Sequence, residues 1–201
     1  MKILLTGFEP FGNSTLNPSG EIVKAIMADN VVGVVLPVVF GQSSQMLIEL
    51  IALHKPDVVL CLGQAEGRHA MAPERIAINI DDARNADNAG VVLTDQPIIT
   101  GGPDAYFSTL PVKEMVIAMK AAGVPAAVSL SAGTFVCNHL FYSMQHQLQG
   151  SAIKSGFMHV PLMDQQRIEF SGLPSMPLAQ MVAGVQACLK TLSFRDGLNS
   201  G

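Results

Sequence analysis

Residues 2–6 read Lys-Ile-Leu-Leu-Thr, and this short apolar run predicts the first β-strand of the fold. A loop containing glycine, phenylalanine and proline follows over 7–17. The pair Asn17-Pro18 then predicts the start of a helix, because asparagine is a favoured N-cap and proline a favoured first helical residue. Four residues supply the apolar face of this helix: Ile22, Val23, Ile26 and Met27. A strand followed by a loop and a helix is the unit from which α/β folds are built.

The same alternation continues to the end of the chain. Further strands are predicted at 31–40, 57–62, 74–80, 126–130 and 156–160, and helices at 43–54, 112–122, 135–149 and 178–192. Strands that alternate with helices predict a mostly parallel sheet covered by helices on both faces, which is a three-layer α/β/α sandwich. The 201 residues fit one domain spanning 1–201. In such sheets, ligands bind beyond the carboxyl ends of the strands.

The composition argues against several classes of partner and location. Hydrophobic residues make up 49% of the chain, which predicts helices over both sheet faces or a surface buried between subunits. A net charge of -4 without a basic run predicts no nucleic acid partner. The longest apolar stretch, 31–40, is too short for a membrane span, and no signal peptide is expected. Three widely spaced cysteines fit free thiols in the cytoplasm: Cys61, Cys137 and Cys188.

Cys137 is the cysteine that stands at a predicted strand–turn–helix junction. The strand at 126–130 leads through the small-residue turn at 131–134 into the helix. A thiol in the first turn of a helix feels the positive end of the helix dipole, so we expect a lowered pKa and amides able to stabilise an oxyanion. Cysteine is otherwise a common buried apolar residue, and Cys61 and Cys188 fit that structural role.

A cysteine nucleophile needs a base within hydrogen-bond reach, and the chain has five histidines. Four lie at a helix end, in a loop or on helix faces turned away from the thiol: His54, His69, His139 and His146. His159 stands near the end of the last predicted strand, at the edge where a ligand site is expected. Elimination therefore favours His159 as the base.

The acid that would orient this imidazole is less clearly marked. Glu74 lies in phase with the apolar residues of its predicted strand, where a carboxylate needs a partner. Asp81, Asp82 and Asp87 lie nearby, and the residues alone leave the choice among these acids open.

Seven short stretches form a set in a fixed order. The most specific surrounds the cysteine and reads SAGTFVCNHLFY over 131–142. The others are LLTGFEPFG at 4–12, NPS at 17–19, GQAEGR at 63–68, PERIAIN at 73–79, DAR at 82–84 and GFMHVP at 156–161. In this set the chain resembles the pyroglutamyl peptidase I (pyrrolidone-carboxylate peptidase) family of cysteine peptidases, and the resemblance covers nearly the whole chain.

The resemblance implies a catalytic triad of Glu74, Cys137 and His159, in which Glu74 orients the imidazole. It implies hydrolysis of the amide bond after an N-terminal pyroglutamyl residue, through an acyl-enzyme on the thiolate. Pyroglutamylated peptides would be the substrates, and no metal or other cofactor would be required. The resemblance and the apolar composition both predict a homo-oligomer, and the resemblance implies a homotetramer.

The resemblance also implies an apolar slot for the substrate ring. Phe8 and Phe11, which flank Pro10 after the first strand, would sandwich the pyroglutamyl ring, and Phe135 would add a wall. On physical grounds alone these phenylalanines could equally be core residues.

The polar side of the pocket follows from the same resemblance. Asn17 and Gln64 would contact the lactam through backbone groups, and Arg84 would lie near the scissile carbonyl and polarise it. The sequence departs from the family pattern after Arg84, where Asn85 and Ala86 replace isoleucine and proline. The isoleucine position lines the pocket in the family, so this change bears on affinity.

Two other functions stay open on the sequence. A catalytically weakened small-molecule binding module on the same scaffold would have no use for a reactive Cys137. A phosphorylase-like transferase would need a phosphate cradle, and the chain contains neither G-x-x-x-x-G-K-[ST] nor G-x-G-x-x-G.

Overall fold

The structure of the protein is a computed structural model, and it describes residues 1–26 and 28–194. Met27, assigned above to the apolar face of the first helix, lies outside these residues. The described helices are α1 (Pro18–Ala25), α2 (Gln42–His54), α3 (Val112–Ala121), α4 (Val136–Gln147) and α5 (Leu178–Phe194). The described strands are β1 (Ile3–Phe8), β2 (Val31–Leu36), β3 (Val58–Gln64), β4 (Ala72–Pro73), β5 (Ile76–Ile78), β6 (Ala105–Phe107), β7 (Lys154–Val160), β8 (Leu162–Met163) and β9 (Ser175–Met176).

The central sheet has the strand order β2-β1-β3-β7-β4. The first four strands are parallel, and β4 runs antiparallel to β7 at the edge. Every residue of β1 and β3 is buried, as expected for apolar strands covered on both faces. The carboxyl ends of β1, β3 and β7 therefore lie side by side.

Helices cover the sheet on both faces. Ile3 and Leu5 of β1 pack into a core with α1, α3 and α5, whereas Leu4 and Phe8 pack into a second core with α2 and α4. Successive side chains of a strand point to opposite faces, so one strand contributes to both cores. This arrangement confirms the predicted three-layer α/β/α sandwich.

The helix predictions agree with the structure to within a few residues. Asn17 is the N-cap of α1, and its side-chain oxygen accepts a hydrogen bond of 3.1 Å from the amide of Ser19. In the described part of the chain, no helix is both long enough and apolar enough to cross a membrane.

The segment 126–130, predicted as a strand, does not form a continuous one. It runs beside 71–75 and makes two isolated parallel bridges, Met71 with Ala126 and Glu74 with Ser129. The amide of Ala127 donates to the carbonyl of Met71, and that of Ser129 donates to Pro73. Between these two bonds, a regular parallel ladder would use the nitrogen of Pro73 as a donor. This nitrogen carries no hydrogen, so the pairing is interrupted.

Two other predicted strands are shorter or divided. The strand predicted at 31–40 ends at Leu36, before Pro37. The strand predicted at 74–80 is replaced by β4 and β5, with Glu74 between them. β5 leaves the central sheet and pairs with β6 in a separate two-stranded sheet. Strands of two or three residues, such as β6, β8 and β9, are too short to show a periodic pattern.

The close packing of α1 on β1 generates a stability prediction. A Cβ at Gly7 would overlap the main-chain carbonyl of Ser19 and lie 2.8 Å from the nitrogen of Gly20. Because a helix backbone cannot yield without moving the helix, we expect Gly7→Ala to lower the free energy of unfolding by about 3 kcal/mol. Urea unfolding measures this change.

Gly33→Ala in the neighbouring strand β2 is the matched control. Its added methyl would lie 3.0 Å from a methyl group of Val23 and 3.4 Å from the main-chain oxygen of Val23, so the overlap is much smaller than at Gly7. We expect a loss of about 1 kcal/mol or less. Equal losses for the two variants would contradict the proposed contact between α1 and β1.

Candidate active site

A pocket of about 160 Å³ opens at the carboxyl ends of three adjacent strands. Phe8 ends β1, Gln64 ends β3, and His159 is the penultimate residue of β7. The start of α4 closes the pocket from the other side. Twelve residues line it: Phe8, Phe11, Asn17, Val38, Gln64, Ala132, Gly133, Thr134, Phe135, Val136, Cys137 and His159. The site lies where parallel α/β sheets bind their ligands.

Cys137 is the second residue of α4, as the sequence predicted for a cysteine that opens a helix. Phe135 is the N-cap residue in an extended conformation, and among the described residues no side chain caps this helix. Amides of the first helical turn have no partner within the helix, so those of α4 can donate to an oxyanion. Cys137 is partly exposed, whereas Cys61 and Cys188 are buried.

The Cys137 sulfur lies directly over β3. A Cβ at Gly63 would lie 2.9 Å from this sulfur and 2.7 Å from the ring of Phe157, so glycine leaves the space that the thiol occupies. Gly63 pairs with His159 across the sheet. The thiol is therefore placed over the strand position beside the imidazole, and both side chains line the same pocket.

His159 is held by Glu74. The imidazole Nδ1 lies 2.8 Å from Glu74 Oε1, and the two residues are 4% and 0% exposed. The imidazole also packs against the ring of Phe157 in an edge-to-face pair, with centroids 5.0 Å apart. Because the carboxylate occupies Nδ1, Nε2 is the nitrogen left to act on a neighbouring group.

Two of the other acids considered from the sequence have partners elsewhere. Asp81 Oδ2 lies 2.8 Å from His139 Nδ1, and Asp87 Oδ2 accepts a hydrogen bond of 2.9 Å from the amide of Phe40. His139 therefore pairs with Asp81. Glu74 is the acid that contacts His159.

Arg68 is a residue of this site that sequence reasoning missed. Its Nη2 donates to Glu74 Oε1 at 3.2 Å, to Ser129 Oγ at 3.1 Å and to the carbonyl of Ser131 at 3.3 Å. Arg68 thus joins the buried acid to the turn that leads into α4. The only sequence signal was its position at the end of the 63–68 stretch, which did not reveal its partners.

The electrostatics of Cys137 differ from the expectation. Although the residue is partly exposed, its sulfur is packed against β3 inside the pocket, and this burial raises the pKa of the Cys137 thiol to about 12. The negative charge of Glu74 and the proximity of Cys61 add to this rise. The amide of Cys137 itself acts in the opposite direction, but its effect is smaller. The expected lowering of the pKa by the helix N-terminus is therefore outweighed. A thiol in this pocket keeps its proton at neutral pH unless a base accepts it.

The aromatic residues expected around the substrate all line the pocket. Phe8 is 3% exposed, and the rings of Phe11 and Phe135 lie with centroids 6.2 Å apart. Phe40, which the sequence did not assign, packs edge-on against Phe135 at 5.4 Å.

Of the three polar residues expected around the substrate, two line the pocket and one lines an adjoining groove. Asn17 uses its side chain internally, since its oxygen caps α1 and its amide donates to the carbonyl of Glu9 at 2.9 Å. Gln64 lines the pocket and is 7% exposed. Arg84 and Asn85 lie outside the pocket and line an adjoining groove, which shares four of its lining residues: Phe11, Gly133, Thr134 and Phe135.

Within 1–26 and 28–194, no group of three or more histidine, cysteine, aspartate or glutamate side chains is arranged to hold a metal ion. The thiol and the imidazole that line the pocket offer nucleophilic and acid–base chemistry.

A thiol that shares a small pocket with a carboxylate-bound imidazole, on an α/β sandwich, defines a cysteine peptidase. Comparison with known proteins gives the particular family. The family described as pyroglutamyl peptidase matches residues 1–194, and the chain belongs to this family.

Individual relatives agree with this assignment. The pyrrolidone-carboxylate peptidase of Vibrio vulnificus (strain YJ016) is 50% identical over 199 residues, covering 94% of this chain and 93% of that protein. The crystal structure of pyroglutamyl peptidase I from Bacillus amyloliquefaciens has a TM-score of 0.93 at 41% identity, covering 96% of this chain and 95% of its own. The crystal structure of a mutant pyrrolidone carboxyl peptidase from P. furiosus has a TM-score of 0.90 at 39% identity, covering 96% of this chain and 99% of its own. These relatives favour the peptidase over the binding module and the transferase.

The raised pKa of Cys137 leads to a prediction about its reactivity. In His159→Ala the thiol has no base, so we expect iodoacetamide to alkylate it about 10²–10⁴-fold more slowly than in the wild-type protein at pH 7. The rate in this variant should rise about tenfold per pH unit towards the raised pKa, because only the thiolate reacts.

Mass spectrometry of the modified peptides measures these rates. Cys188→Ser removes a buried thiol on α5 and serves as the control, with an unchanged rate at Cys137. Equal alkylation of Cys137 at pH 7 in the wild-type protein and His159→Ala would show that the imidazole does not accept its proton.

The contacts of Arg68 lead to a second prediction. Arg68→Met removes a partner from a fully buried carboxylate, and we expect the free energy of unfolding to fall by about 2 kcal/mol. Arg75→Met is the matched control, since Arg75 makes no ion pair within the described residues, and it should cost less than about 0.5 kcal/mol. Equal losses in urea unfolding would contradict a stabilising role for the Arg68–Glu74 pair.

Proposed function

We propose that this chain is a pyroglutamyl peptidase I, which hydrolyses the amide bond after an N-terminal pyroglutamyl residue of a peptide. The observation that carries the proposal is a small pocket that contains a thiol and an imidazole but no acid among its described lining residues. Its volume of about 160 Å³ is well below the roughly 300–1,000 Å³ of pockets for drug-sized ligands. A charged amino terminus buried there would need a carboxylate, whereas a lactam is neutral.

Cys137 is the nucleophile of the proposed reaction. Its sulfur attacks the carbon of the scissile carbonyl, which links the pyroglutamyl residue to the next residue, and the thiol proton passes to Nε2 of His159. Glu74 keeps the imidazole in the required tautomer and stabilises its charged form. The raised pKa of the thiol makes this transfer part of the attack, because little free thiolate exists beforehand. Amides of the first turn of α4 support the proposal, since they are oriented to stabilise the oxyanion.

The second half of the reaction releases the products. Imidazolium His159 gives its proton to the leaving amine as the C–N bond breaks, which leaves a thioester between Cys137 and the pyroglutamyl group. His159 then accepts a proton from water, the resulting hydroxide attacks the thioester, and the Cys137 thiolate recovers the proton. Pyroglutamate and a peptide shortened by one residue are the products.

The pocket gives each recognition residue a proposed place. Phe8, Phe11 and Phe135 form the apolar slot for the ring. Gln64 supplies a polar contact to the lactam through its side-chain amide, whose Nε2 has no partner within the described chain, and not through its backbone as the resemblance implied. Asn17 contributes through its backbone, because its side chain is engaged in the cap of α1.

Arg84 is assigned to the side of the site that receives the rest of the peptide. It lines the adjoining groove together with Asn85, and this groove meets the pocket at Phe135. From there its guanidinium can reach towards the scissile carbonyl, as the family resemblance implies.

Three wider features belong to the same proposal. Residues 1–201 form a single peptidase domain, a view supported by one central sheet whose two faces share their strands. The protein acts in the cytoplasm, which three free cysteines support. It assembles as a homo-oligomer, which the apolar composition supports, and as a homotetramer in particular, which the family resemblance implies.

A fluorogenic pyroglutamyl amide tests the proposed function. We expect the wild-type protein to release the fluorophore, and Cys137→Ser or His159→Ala to lower kcat by about 10³-fold or more. Cys188→Ser should retain activity, because that thiol is buried away from the pocket. Release from a prolyl amide at the same rate would overturn the substrate assignment while leaving the thiol mechanism intact.

A further inference from the structure

Gln64 carries a hydrogen-bond donor that the fold does not use. Its Oε1 accepts a hydrogen bond of 3.0 Å from Nε2 of Gln166. Its own Nε2 is buried and has no partner within the described chain, although Gln64 lines the pocket. An unsatisfied buried donor is unfavourable, so a ligand that offers an acceptor there makes a hydrogen bond that the free protein lacks.

The orientation of Gln166 is fixed by groups whose polarity cannot change. Gln166 ends the 3₁₀ helix at Asp164–Gln166 and is 1% exposed. Its Oε1 accepts from the amide of Met163 at 2.9 Å, and its Nε2 donates to the carbonyl of Leu16 at 3.3 Å. A backbone amide can only donate and a backbone carbonyl can only accept. The side-chain amide of Gln166 therefore cannot be reversed without losing both bonds.

The fixed orientation of the Gln166 amide determines the orientation of the Gln64 amide. Because Nε2 of Gln166 can only donate, Gln64 must turn its oxygen towards Gln166. The NH₂ group of Gln64 is then available as a hydrogen-bond donor to a ligand in the pocket. A glutamine side chain with both ends free would settle in either orientation, and the pocket would present a donor or an acceptor.

We propose that Gln166 is a specificity-determining positioning residue. It holds the amide of Gln64 so that the pocket offers an N–H donor to the ring carbonyl of a neutral lactam. This inference rests on the proposed function, since it names how that same pocket selects its ring. Gln166 does not line the pocket and acts through Gln64.

The selectivity follows from the chemistry of the two rings. A pyroglutamyl ring has a carbonyl that accepts the N–H of Gln64, whereas a prolyl ring has none and leaves the donor unpaired. A site built to hydrogen-bond a substrate group rejects an analogue lacking that group by up to about 10⁴–10⁵-fold. If the amide of Gln64 were reversed, its oxygen would face the ring carbonyl, and this advantage would be lost.

Gln166→Glu tests the inference with little change of shape. The carboxylate still accepts from Met163, but it has no N–H to give, so Gln64 must turn its NH₂ group towards residue 166. We expect kcat/KM for the pyroglutamyl amide to fall about 100-fold, mainly through KM, and the preference over a prolyl amide to fall in parallel. Alkylation of Cys137 by iodoacetamide should stay at the wild-type rate, because the thiol and its base are untouched.

Two further variants separate orientation from simple damage. Ser14→Ala removes another contact of Gln166, 3.2 Å from its Nε2, and should leave the preference unchanged. Gln166→Met frees Gln64 without introducing a charge, and should lower the preference about tenfold. If Gln166→Glu does not fold, Gln166→Met alone tests whether Gln166 orients the amide of Gln64.

A double variant gives the sharpest result. In a Gln64→Leu background no amide remains to be oriented, so Gln166→Glu should produce no further loss of preference. Losses that multiply, or an unchanged preference in folded Gln166→Glu and Gln166→Met, would overturn the role of Gln166. A wild-type protein that hydrolyses no pyroglutamyl amide would instead overturn the proposed function itself.

Discussion

The hydrogen bond between His159 and Glu74 is the interaction on which the candidate site depends. It joins side chains 85 residues apart, at a distance of 2.8 Å, in a region closed to water. The backbone prepares this contact, because β4 pairs antiparallel with β7 and the amide of Glu74 donates to the carbonyl of Phe157 at 2.9 Å. Arg68 then supplies a cation to a carboxylate that would otherwise be costly to bury.

Glu74 acts on both members of the proposed thiol–imidazole pair. Its carboxylate holds the imidazole by a hydrogen bond of 2.8 Å, and its negative charge adds to the burial that raises the pKa of Cys137. In the proposed mechanism the proton therefore rests on sulfur and moves to nitrogen as the carbonyl is attacked.

Sequence periodicity predicted the sandwich because long elements carry strong patterns. The apolar run of β3 and the Asn17-Pro18 signal of α1 are local, and both were confirmed. The interruption at Pro73 was not foreseen, since it depends on which strand lies opposite that proline. Sequence periodicity indicates which element a residue belongs to, but it does not predict which residue lies opposite it in the sheet. The site shows the same division. The helix N-terminus at Cys137 and the strand-end position of His159 could be inferred from nearby residues, although their catalytic roles stay predictions. The partners of Arg68 and Gln166 could not, because each bonds to segments distant in the chain. The pKa of Cys137 also escaped prediction, since the helix dipole is visible in the sequence whereas the burial of a thiol is not.

The strand order has a consequence for how the chain is made. β3 is flanked by β1 and β7, and Val58 pairs with Lys154, about a hundred residues later. At a synthesis rate of about 5–20 residues per second, one apolar edge of β3 stays without its partner for about 5–20 s while the chain leaves the ribosome. During that interval the nascent protein presents an open template for pairing with other chains. Synthesis of β7 ends the hazard and delivers His159 to the pocket in the same step.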